Sequence, residues 1–202
     1  MTRIVLVRHG QTLWNLELKY QGHADIGLSP AGLEQAAQVA GRLAGINPAA
    51  VYSSDLSRAF HTAQIIAAKY GLPVNKIPDL REVNFGEWEG KNYESINSQW
   101  PALMGKLFTH PDEIEIPGGE TFQTLQDRAM KAVDHLAYRH AEETILVVSH
   151  GATIRAILCA ILHMPLKYIW NIKQDNTAVN VIEIYPKRAI VSLVNDTNHL
   201  TP

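Results

Sequence analysis

The chain has 202 residues, of which 46% are hydrophobic and 19% charged, and its formal net charge is −2. This size and balance are typical of one globular domain with a sizeable core. Because the net charge is small and negative, the composition gives no support to binding of nucleic acid or of an anionic membrane surface. The single cysteine, Cys159, excludes a disulfide within the chain and a cysteine-based zinc site.

The first apolar run, residues 4–7, is short and ends at Arg8. It therefore predicts neither a signal peptide nor a membrane-spanning segment. We expect a soluble cytoplasmic protein.

The first part of the chain alternates predicted strands and helices. The strands are expected at residues 4–7, 50–53 and 74–77. The helices are expected at residues 31–43 and from just after Ser54 or Asp55 to about residue 70. Ser29 followed by Pro30 is a typical helix start, and Ser54 or Asp55 is expected to cap the second helix. Pro78 makes the third strand an edge strand.

The pattern breaks between residues 83 and 119, which are rich in Glu, Asn, Pro and Gly. We predict one helix there, over residues 93–108. Such an irregular stretch is typical of a lid or substrate loop. We therefore expect a single domain over residues 1–202, with residues 83–119 as a lid inserted over the mouth of the sheet.

The last part of the chain returns to regular elements. Helices are expected over residues 121–140 and from residue 153. Strands are expected at residues 145–148, 178–184 and 190–194, and the last two form a hairpin. Repeated strand–helix units predict an α/β three-layer sandwich, with a mostly parallel central sheet and helices on both faces.

Two of the predicted strands end in a His-Gly dipeptide. Residues 4–7 lead into Arg8 and His9, and residues 145–148 lead into His150. Continuous apolar runs are typical of strands buried on both faces, and ligands collect beyond the carboxyl ends of parallel strands. If these two strands are neighbours, both imidazoles lie at one edge of the sheet.

Cations near these histidines favour phosphate chemistry over core packing. Arg8 can bind phosphate oxygens through its forked guanidinium, and Gly10 lets the backbone approach a ligand. His9 is a nucleophile only while neutral, and cationic neighbours lower its pKa in that direction. Arg58 falls in the first turn of a predicted helix, where the dipole disfavours a cation and a bound anion would explain it. The alternatives are a hydrogen-bonded core histidine and a surface salt bridge.

Ester cleavage also needs a proton donor for the leaving group. Glu82 is the best candidate because it follows the edge strand as the 83–119 segment begins. Glu87 and Glu89 alternate with Trp88, which is more typical of a solvated face. Arg155, one turn into the last predicted helix, is interpreted as part of a structural ion pair.

At this point the chain resembles the histidine phosphatase superfamily, and within it the phosphoglycerate-mutase-like branch. The resemblance covers nearly the whole chain in order. It rests on Arg8-His9-Gly10-Gln11-Thr12-Leu13-Trp14-Asn15, Gln21-Gly22-His23, Leu28-Ser29-Pro30-Ala31-Gly32, Ser53-Ser54-Asp55-Leu56-Ser57-Arg58-Ala59, Arg81-Glu82 through Gly90, Pro117-Gly118-Gly119-Glu120 and Ser149-His150-Gly151. The branch of phytase-like acid phosphatases carries His-Asp at the second histidine, and His150-Gly151 argues against it.

The resemblance implies a role for each polar residue of the motifs. His9 would attack phosphorus and carry a covalent phosphohistidine. Glu82 would protonate the leaving oxygen and then take a proton from water. The residues that would hold the phosphoryl oxygens are Arg8, Arg58 and His150, helped by Asn15 and the amide of Gly151. Such a site needs no metal and no cofactor.

The loop after Asn15 would border the substrate. It contains Gln21, Gly22 and His23, which we expect at the mouth of the site.

The charge of the predicted lid helps to decide between a phosphatase and a mutase. A mutase must hold a phosphorylated acid while it reorients, and the mutases of this family carry extra cations there. Residues 83–117 contain no arginine, and two lysines stand against six acids, Glu87, Glu89, Glu94, Asp112, Glu113 and Glu115. We therefore expect a phosphatase. The alternatives are a 2,3-bisphosphoglycerate-dependent mutase and a non-catalytic relative that binds phosphorylated ligands.

The expected partner is a small phosphorylated metabolite. Bacterial relatives of this kind suggest α-ribazole 5′-phosphate of cobalamin synthesis or unspecific small phosphomonoesters, with phosphoserine behind them. A homodimer is compatible with the sequence.

Overall fold

A computed structural model describes residues 1–200, in which six strands form one sheet. The strands are β1 (Thr2–Arg8), β2 (Ala50–Ser53), β3 (Val74–Lys76), β4 (Thr144–Ser149), β5 (Val179–Tyr185) and β6 (Arg188–Asp196). Their order across the sheet is β3-β2-β4-β1-β5-β6. The first four are parallel, whereas β5 runs antiparallel to β1 and pairs with β6 as the predicted hairpin. The mostly parallel sheet is confirmed.

Seven α-helices connect and cover the strands in this part of the chain. They are α1 (Leu13–Leu16), α2 (Pro30–Arg42), α3 (Ser57–Ala67), α4 (Tyr93–Gln99), α5 (Pro101–Thr109), α6 (Phe122–Arg139) and α7 (Gly151–Ile161). Short 3₁₀-helices lie at Pro78–Leu80, Gly86–Trp88, Pro111–Glu113, Leu166–Asn171 and Asn198–Leu200. Within residues 1–200 no helix is both long and apolar enough to cross a membrane.

The alternation of side chains along β1 explains the three layers. Val5 and Val7 pack against α2 and α3 on one face, whereas Ile4 and Leu6 pack against α6 and α7 on the other. All four are fully buried, as expected for a strand covered on both sides. The predicted three-layer sandwich is confirmed for residues 1–200, and residues 201–202 of the predicted domain lie outside the described part.

The register of the central strands positions the functional residues. β1 and β4 are parallel neighbours, and Arg8 at the end of β1 stands opposite Ser149 at the end of β4. The backbone amide of His9 donates to the carbonyl oxygen of Ser149 (3.0 Å), which extends the pairing one residue further. The two His-Gly dipeptides therefore leave the sheet side by side, as the sequence predicts.

The 83–119 segment carries two helices where one was predicted. The expected helix over residues 93–108 is interrupted at Trp100, which has a non-helical backbone (φ −135°, ψ 61°), so α4 ends there and α5 begins at Pro101. The reason is that a residue before proline is pushed out of the helical region. Trp88, Ile96 and other side chains of the segment form their own apolar cluster against α6 and α7. The assignment of this segment as a lid stays a prediction.

The predicted cap of α3 is wrong. The helix begins after Leu56, which makes no side-chain capping bond, because Asp55 instead binds Arg81 through both carboxylate oxygens (2.5 and 2.7 Å). The first amide of the helix, at Ser57, donates to Asp25 from a distant loop (2.7 Å). The helix start is thus satisfied by a tertiary contact, which local sequence does not reveal.

Gly10 has a packing role that differs from the predicted one. A β-carbon at this position would stand 2.4 Å from the carbonyl oxygen of Gly32. The close neighbour of Gly10 is therefore the backbone of α2, and not a ligand. Gly10 does not line the main cavity. This close approach fixes the end of β1 against the start of α2.

We expect Gly10→Ala to lower the free energy of unfolding by about 1–3 kcal/mol, because the new methyl group overlaps a backbone atom that cannot move alone. Urea unfolding checks this. Gly41→Ala in α2 is the matched control, since a β-carbon there meets nothing within 4 Å, and it should stabilise the helix slightly. A Gly10→Ala protein as stable as the wild type would contradict this close-packing account.

Candidate active site

A cavity of about 370 Å³ opens at the carboxyl ends of β1 and β4. Its main polar lining residues are Arg8, His9, Asn15, Arg58, Glu82 and Arg155. Its aromatic lining residues are Tyr20, Phe85, Tyr93, Phe108 and Trp170. The position agrees with the general rule that ligands of parallel sheets bind beyond the strand ends.

The His9 ring presents an unprotonated nitrogen to this cavity. Its Nδ1 lies 2.7 Å from the carbonyl oxygen of Gly10. A carbonyl oxygen only accepts hydrogen bonds, so Nδ1 carries the proton and the lone pair of the neutral ring is on Nε2. Burial, with the charges of Arg58 and Arg8, holds the pKa of His9 well below its usual range. The geometry therefore supplies a neutral imidazole with a free electron pair.

The His150 ring has the opposite arrangement from His9 and carries its proton on Nε2. The Nε–H of Arg58 donates to His150 Nδ1 (3.3 Å), so the proton of the neutral His150 ring is on Nε2. That Nε2 is buried and has no acceptor within the described residues. Burial, followed by the charge of Arg58, lowers the pKa of His150 well below its usual range. The ring centres of His9 and His150 are 5.1 Å apart.

Arg58 is fully buried, so the alternative of a surface salt bridge is wrong. Its two terminal nitrogens donate to the carbonyl oxygens of Ala24 (2.8 Å) and Gly22 (2.7 Å). Burial lowers its pKa to about 10, which still leaves it charged at neutral pH. Main-chain carbonyls thus hold the cation in place without neutralising it.

Arg8 is held in a similar way. Its Nη1 donates to the carbonyl oxygen of Gln174 (2.6 Å), whereas its buried Nε has no acceptor in residues 1–200. Burial lowers its pKa to about 10. A buried cation with an unpaired N–H is costly unless a ligand accepts from it.

Asn15 and Gly151 add neutral donors to the same wall. Asn15 Oδ1 accepts from the amide of Thr12 (3.0 Å) and from Asn176 Nδ2 (3.3 Å), which assigns the other terminus of the side chain, Nδ2, as the donor toward the cavity. Gly151 is the first residue of α7, so its amide belongs to the unpaired first turn. These donors, with Arg8, form an anion-binding surface on the cavity wall.

Glu82 is the one acidic side chain among the residues that line the cavity. Its carboxylate lies at the N-terminus of α7 and accepts from the amides of Ala152 (3.1 Å) and Thr153 (3.2 Å) and from the Thr153 hydroxyl (3.3 Å). The positive end of the helix dipole favours a carboxylate in this position. The structure therefore brings Glu82 to the same cavity as His9. His150 is fully buried and does not line the cavity itself, but its ring lies against that of His9.

The predicted substrate mouth is only partly on the cavity. Gln21 and Gly22 line it, but His23 does not. His23 instead donates from Nε2 to the carbonyl oxygen of Glu82 (3.0 Å). The interpretation of Glu89 as part of a solvated face is wrong, because its carboxylate accepts from the amides of His23 (2.7 Å) and Ala24 (2.8 Å). Glu89 thereby stabilises the loop whose carbonyls bind Arg58.

Two further expectations about charge need correction. Arg155 makes no ion pair among residues 1–200; it lines the cavity. Its place three to four residues after Gly151 and Ala152 on one helix is the signal that could have revealed this. The acids of the 83–119 segment do not line the cavity, so direct repulsion by them does not explain a preference for hydrolysis.

The cavity is strongly cationic. Three arginines line it, against the single carboxylate of Glu82. In the described part of the chain, no three His, Cys, Asp or Glu side chains come together as a metal-binding group.

Comparison with known proteins agrees with this geometry. Residues 4–197 match the family model of the histidine phosphatase superfamily (branch 1). The chain is 38% identical to a metal-independent phosphoserine phosphatase of Arabidopsis thaliana (100% of this chain, 84% of that protein) and 32% identical to an adenosylcobalamin/α-ribazole phosphatase of Escherichia coli (96% and 95%). The structure of Bacillus stearothermophilus YhfR, which is 32% identical in sequence, superposes on this one with a TM-score of 0.96. The superposition covers 100% of both chains. The chain belongs to branch 1 of the histidine phosphatase superfamily.

Proposed function

We propose that the cavity hydrolyses phosphomonoesters in two steps, with His9 as the nucleophile. The chain is a histidine phosphatase that acts on small phosphorylated metabolites, as its family and its similarity to named phosphatases support. The observation that carries the residue roles is the pair of opposite hydrogen bonds at the Nδ1 atoms of two adjacent rings, to a carbonyl oxygen in His9 and from a guanidinium N–H in His150. His9 offers a lone pair on Nε2, and His150 offers an N–H on Nε2, in one buried site.

In the first step, Nε2 of His9 attacks phosphorus, and the bond between phosphorus and the ester oxygen breaks. Glu82, in its protonated form when the ester is bound, gives its proton to the departing oxygen. Arg8, Arg58 and His150 stabilise the charge on the other phosphoryl oxygens, helped by Asn15 and the amide of Gly151. Positioning and charge stabilisation are the main requirements of phosphoryl transfer.

In the second step, water replaces the alcohol. Glu82, now a carboxylate, takes a proton from the water as the oxygen attacks phosphorus. The bond between phosphorus and His9 Nε2 breaks and its electron pair returns to the ring, so inorganic phosphate leaves and the enzyme is regenerated. A covalent intermediate divides one difficult displacement into two easier ones.

The cavity wall favours hydrolysis over a mutase reaction. Beyond the phosphoryl site the lining is aromatic, through Tyr93, Phe108 and Trp170. A bisphosphorylated acid needs several cations at that distance, and this wall supplies only Arg155 and Lys19, the latter paired with Glu17 (2.7 Å). The complete set of His9, Arg58, Glu82 and His150 also argues against a relative that only binds ligands.

We expect the protein to hydrolyse p-nitrophenyl phosphate in the presence of EDTA. His9→Ala should lower kcat by at least about 1,000-fold, because removal of a nucleophile abolishes the covalent route. His61→Ala, which changes an exposed histidine outside the cavity, is the matched control and should keep full activity. A fully active His9→Ala protein would refute the proposed mechanism. Interconversion of 2- and 3-phosphoglycerate that depends on 2,3-bisphosphoglycerate would favour the mutase instead.

The protonation states also predict how stability depends on pH. Burial keeps the pKa of His9 and of His150 well below the usual value of 6.5, so both stay neutral in the folded protein while the unfolded chain takes up protons. The contribution of these two rings to the free energy of unfolding is therefore complete above the pKa that histidine has in the unfolded chain, and it is lost as the pH falls below that value. Each buried histidine should lower the free energy of unfolding by about 1.4 kcal/mol between about pH 7.5 and about pH 5.5.

Urea unfolding of His9→Gln at the two pH values measures the contribution of one ring. The variant should lose about 1.4 kcal/mol less than the wild type over this range. His61→Gln is the control and should lose as much as the wild type, because both buried rings, His9 and His150, remain in it. An equal loss in His9→Gln and in the wild type would contradict the account, because His9 would then take up its proton in the folded protein over the same pH range as in the unfolded chain.

A further inference from the structure

Arg155 is a cation of the cavity that the proposed mechanism does not use. It lies one turn into α7, and its Nε donates to the carbonyl oxygen of Ile172 (2.6 Å). Its guanidinium carbon is 5.4 Å from the centre of a Trp170 ring, within the range of a cation–π contact. These two contacts fix the plane of the guanidinium on the cavity wall.

The terminal nitrogens of Arg155 are left without a protein partner. Neither has an acceptor among residues 1–200, and no carboxylate in that range forms an ion pair with the side chain. The two carboxylates that interact electrostatically with Arg155, Glu82 and Asp175, already have other partners. Glu82 accepts from the first amides of α7, and Asp175 pairs with Lys173 (2.8 Å). A partly buried guanidinium with two free donors is suited to an anion that comes from outside the protein.

The position of Arg155 relative to the phosphoryl site defines what it can bind. A β-carbon on Gly151 would lie 3.3 Å from Arg8 Nε and 3.1 Å from Arg155 Nη1, so the two guanidinium groups flank the same glycine. Arg8 belongs to the proposed phosphoryl site, whereas Arg155 contacts Trp170, part of the aromatic lining that we assign to the leaving alcohol. A second anionic group a few bonds from the ester oxygen could therefore reach Arg155.

We propose that Arg155 is a specificity-determining residue that binds a carboxylate of the leaving alcohol. The substrate class is then a short phosphorylated hydroxy acid, of which phosphoserine is the simplest amino-acid example. This rests on the proposed phosphatase function and narrows it, because a phosphate ester without a carboxylate would leave the two donors of Arg155 unpaired. The planar fork of arginine matches the two oxygens of a carboxylate.

The test is a pair of substrates that differ by the carboxylate alone, O-phosphoserine and phosphoethanolamine. The wild type should show a kcat/KM about 10- to 100-fold higher for phosphoserine, the range expected of a hydrogen-bonded ion pair. Arg155→Met should remove this preference, mainly through KM, and should leave phosphoethanolamine and p-nitrophenyl phosphate within about 3-fold of the wild type. Arg139→Met, at an exposed arginine outside the cavity, is the control and should keep the preference.

Arg155→Lys is a second variant that keeps the charge beside Trp170 but not the forked guanidinium. It should retain an intermediate preference for phosphoserine. Thermal unfolding should show that each variant is folded. Equal rates for the two substrates in the wild type would overturn the proposal. An equal fall for both substrates in Arg155→Met would also overturn it, because Arg155 would then serve the phosphoryl group or the fold. Hydrolysis of p-nitrophenyl phosphate that requires His9 tests the underlying phosphatase function separately.

Discussion

The parallel pairing of β1 with β4 is the constraint on which the site depends. The register that sets Arg8 opposite Ser149 also brings two histidines, far apart in sequence, to ring centres 5.1 Å apart. A shift of one residue would turn the side chains of one strand to the other face of the sheet. Both strands are buried on both faces, so the hydrophobic core fixes the register and with it the site.

The second constraint is that the cations of the site are held by main-chain oxygens. The carbonyls of Gly22, Ala24 and Gln174 orient Arg58 and Arg8 without cancelling their charge. Burial, together with those charges, keeps His9 neutral, and Arg58 fixes the proton of His150 on Nε2, a buried nitrogen with no acceptor among residues 1–200. A site already arranged in this way needs little reorganisation when charge develops on a phosphoryl group.

Sequence patterns predicted most of the fold and the core of the site, because continuous apolar strands and the His-Gly dipeptides are local signals. They failed where a tertiary contact decides the outcome. Asp55 caps no helix because Arg81 takes its carboxylate, and Glu89 is drawn to two loop amides. The helical spacing of Arg155 from Gly151 indicates the cavity side of α7. Its contacts with Trp170 and with the carbonyl of Ile172, which orient the guanidinium, are tertiary contacts that this spacing does not reveal.

The central claim is that His9 carries the phosphoryl group, and direct detection of the phosphoenzyme tests it best. Glu82→Gln, which lacks the base for the second step, would be mixed with p-nitrophenyl phosphate and denatured at alkaline pH, where phosphohistidine survives. Mass spectrometry of the peptides should then find the phosphoryl group on the peptide that contains His9. A phosphoryl group on any other residue, or turnover with no phosphoenzyme at all, would contradict the account.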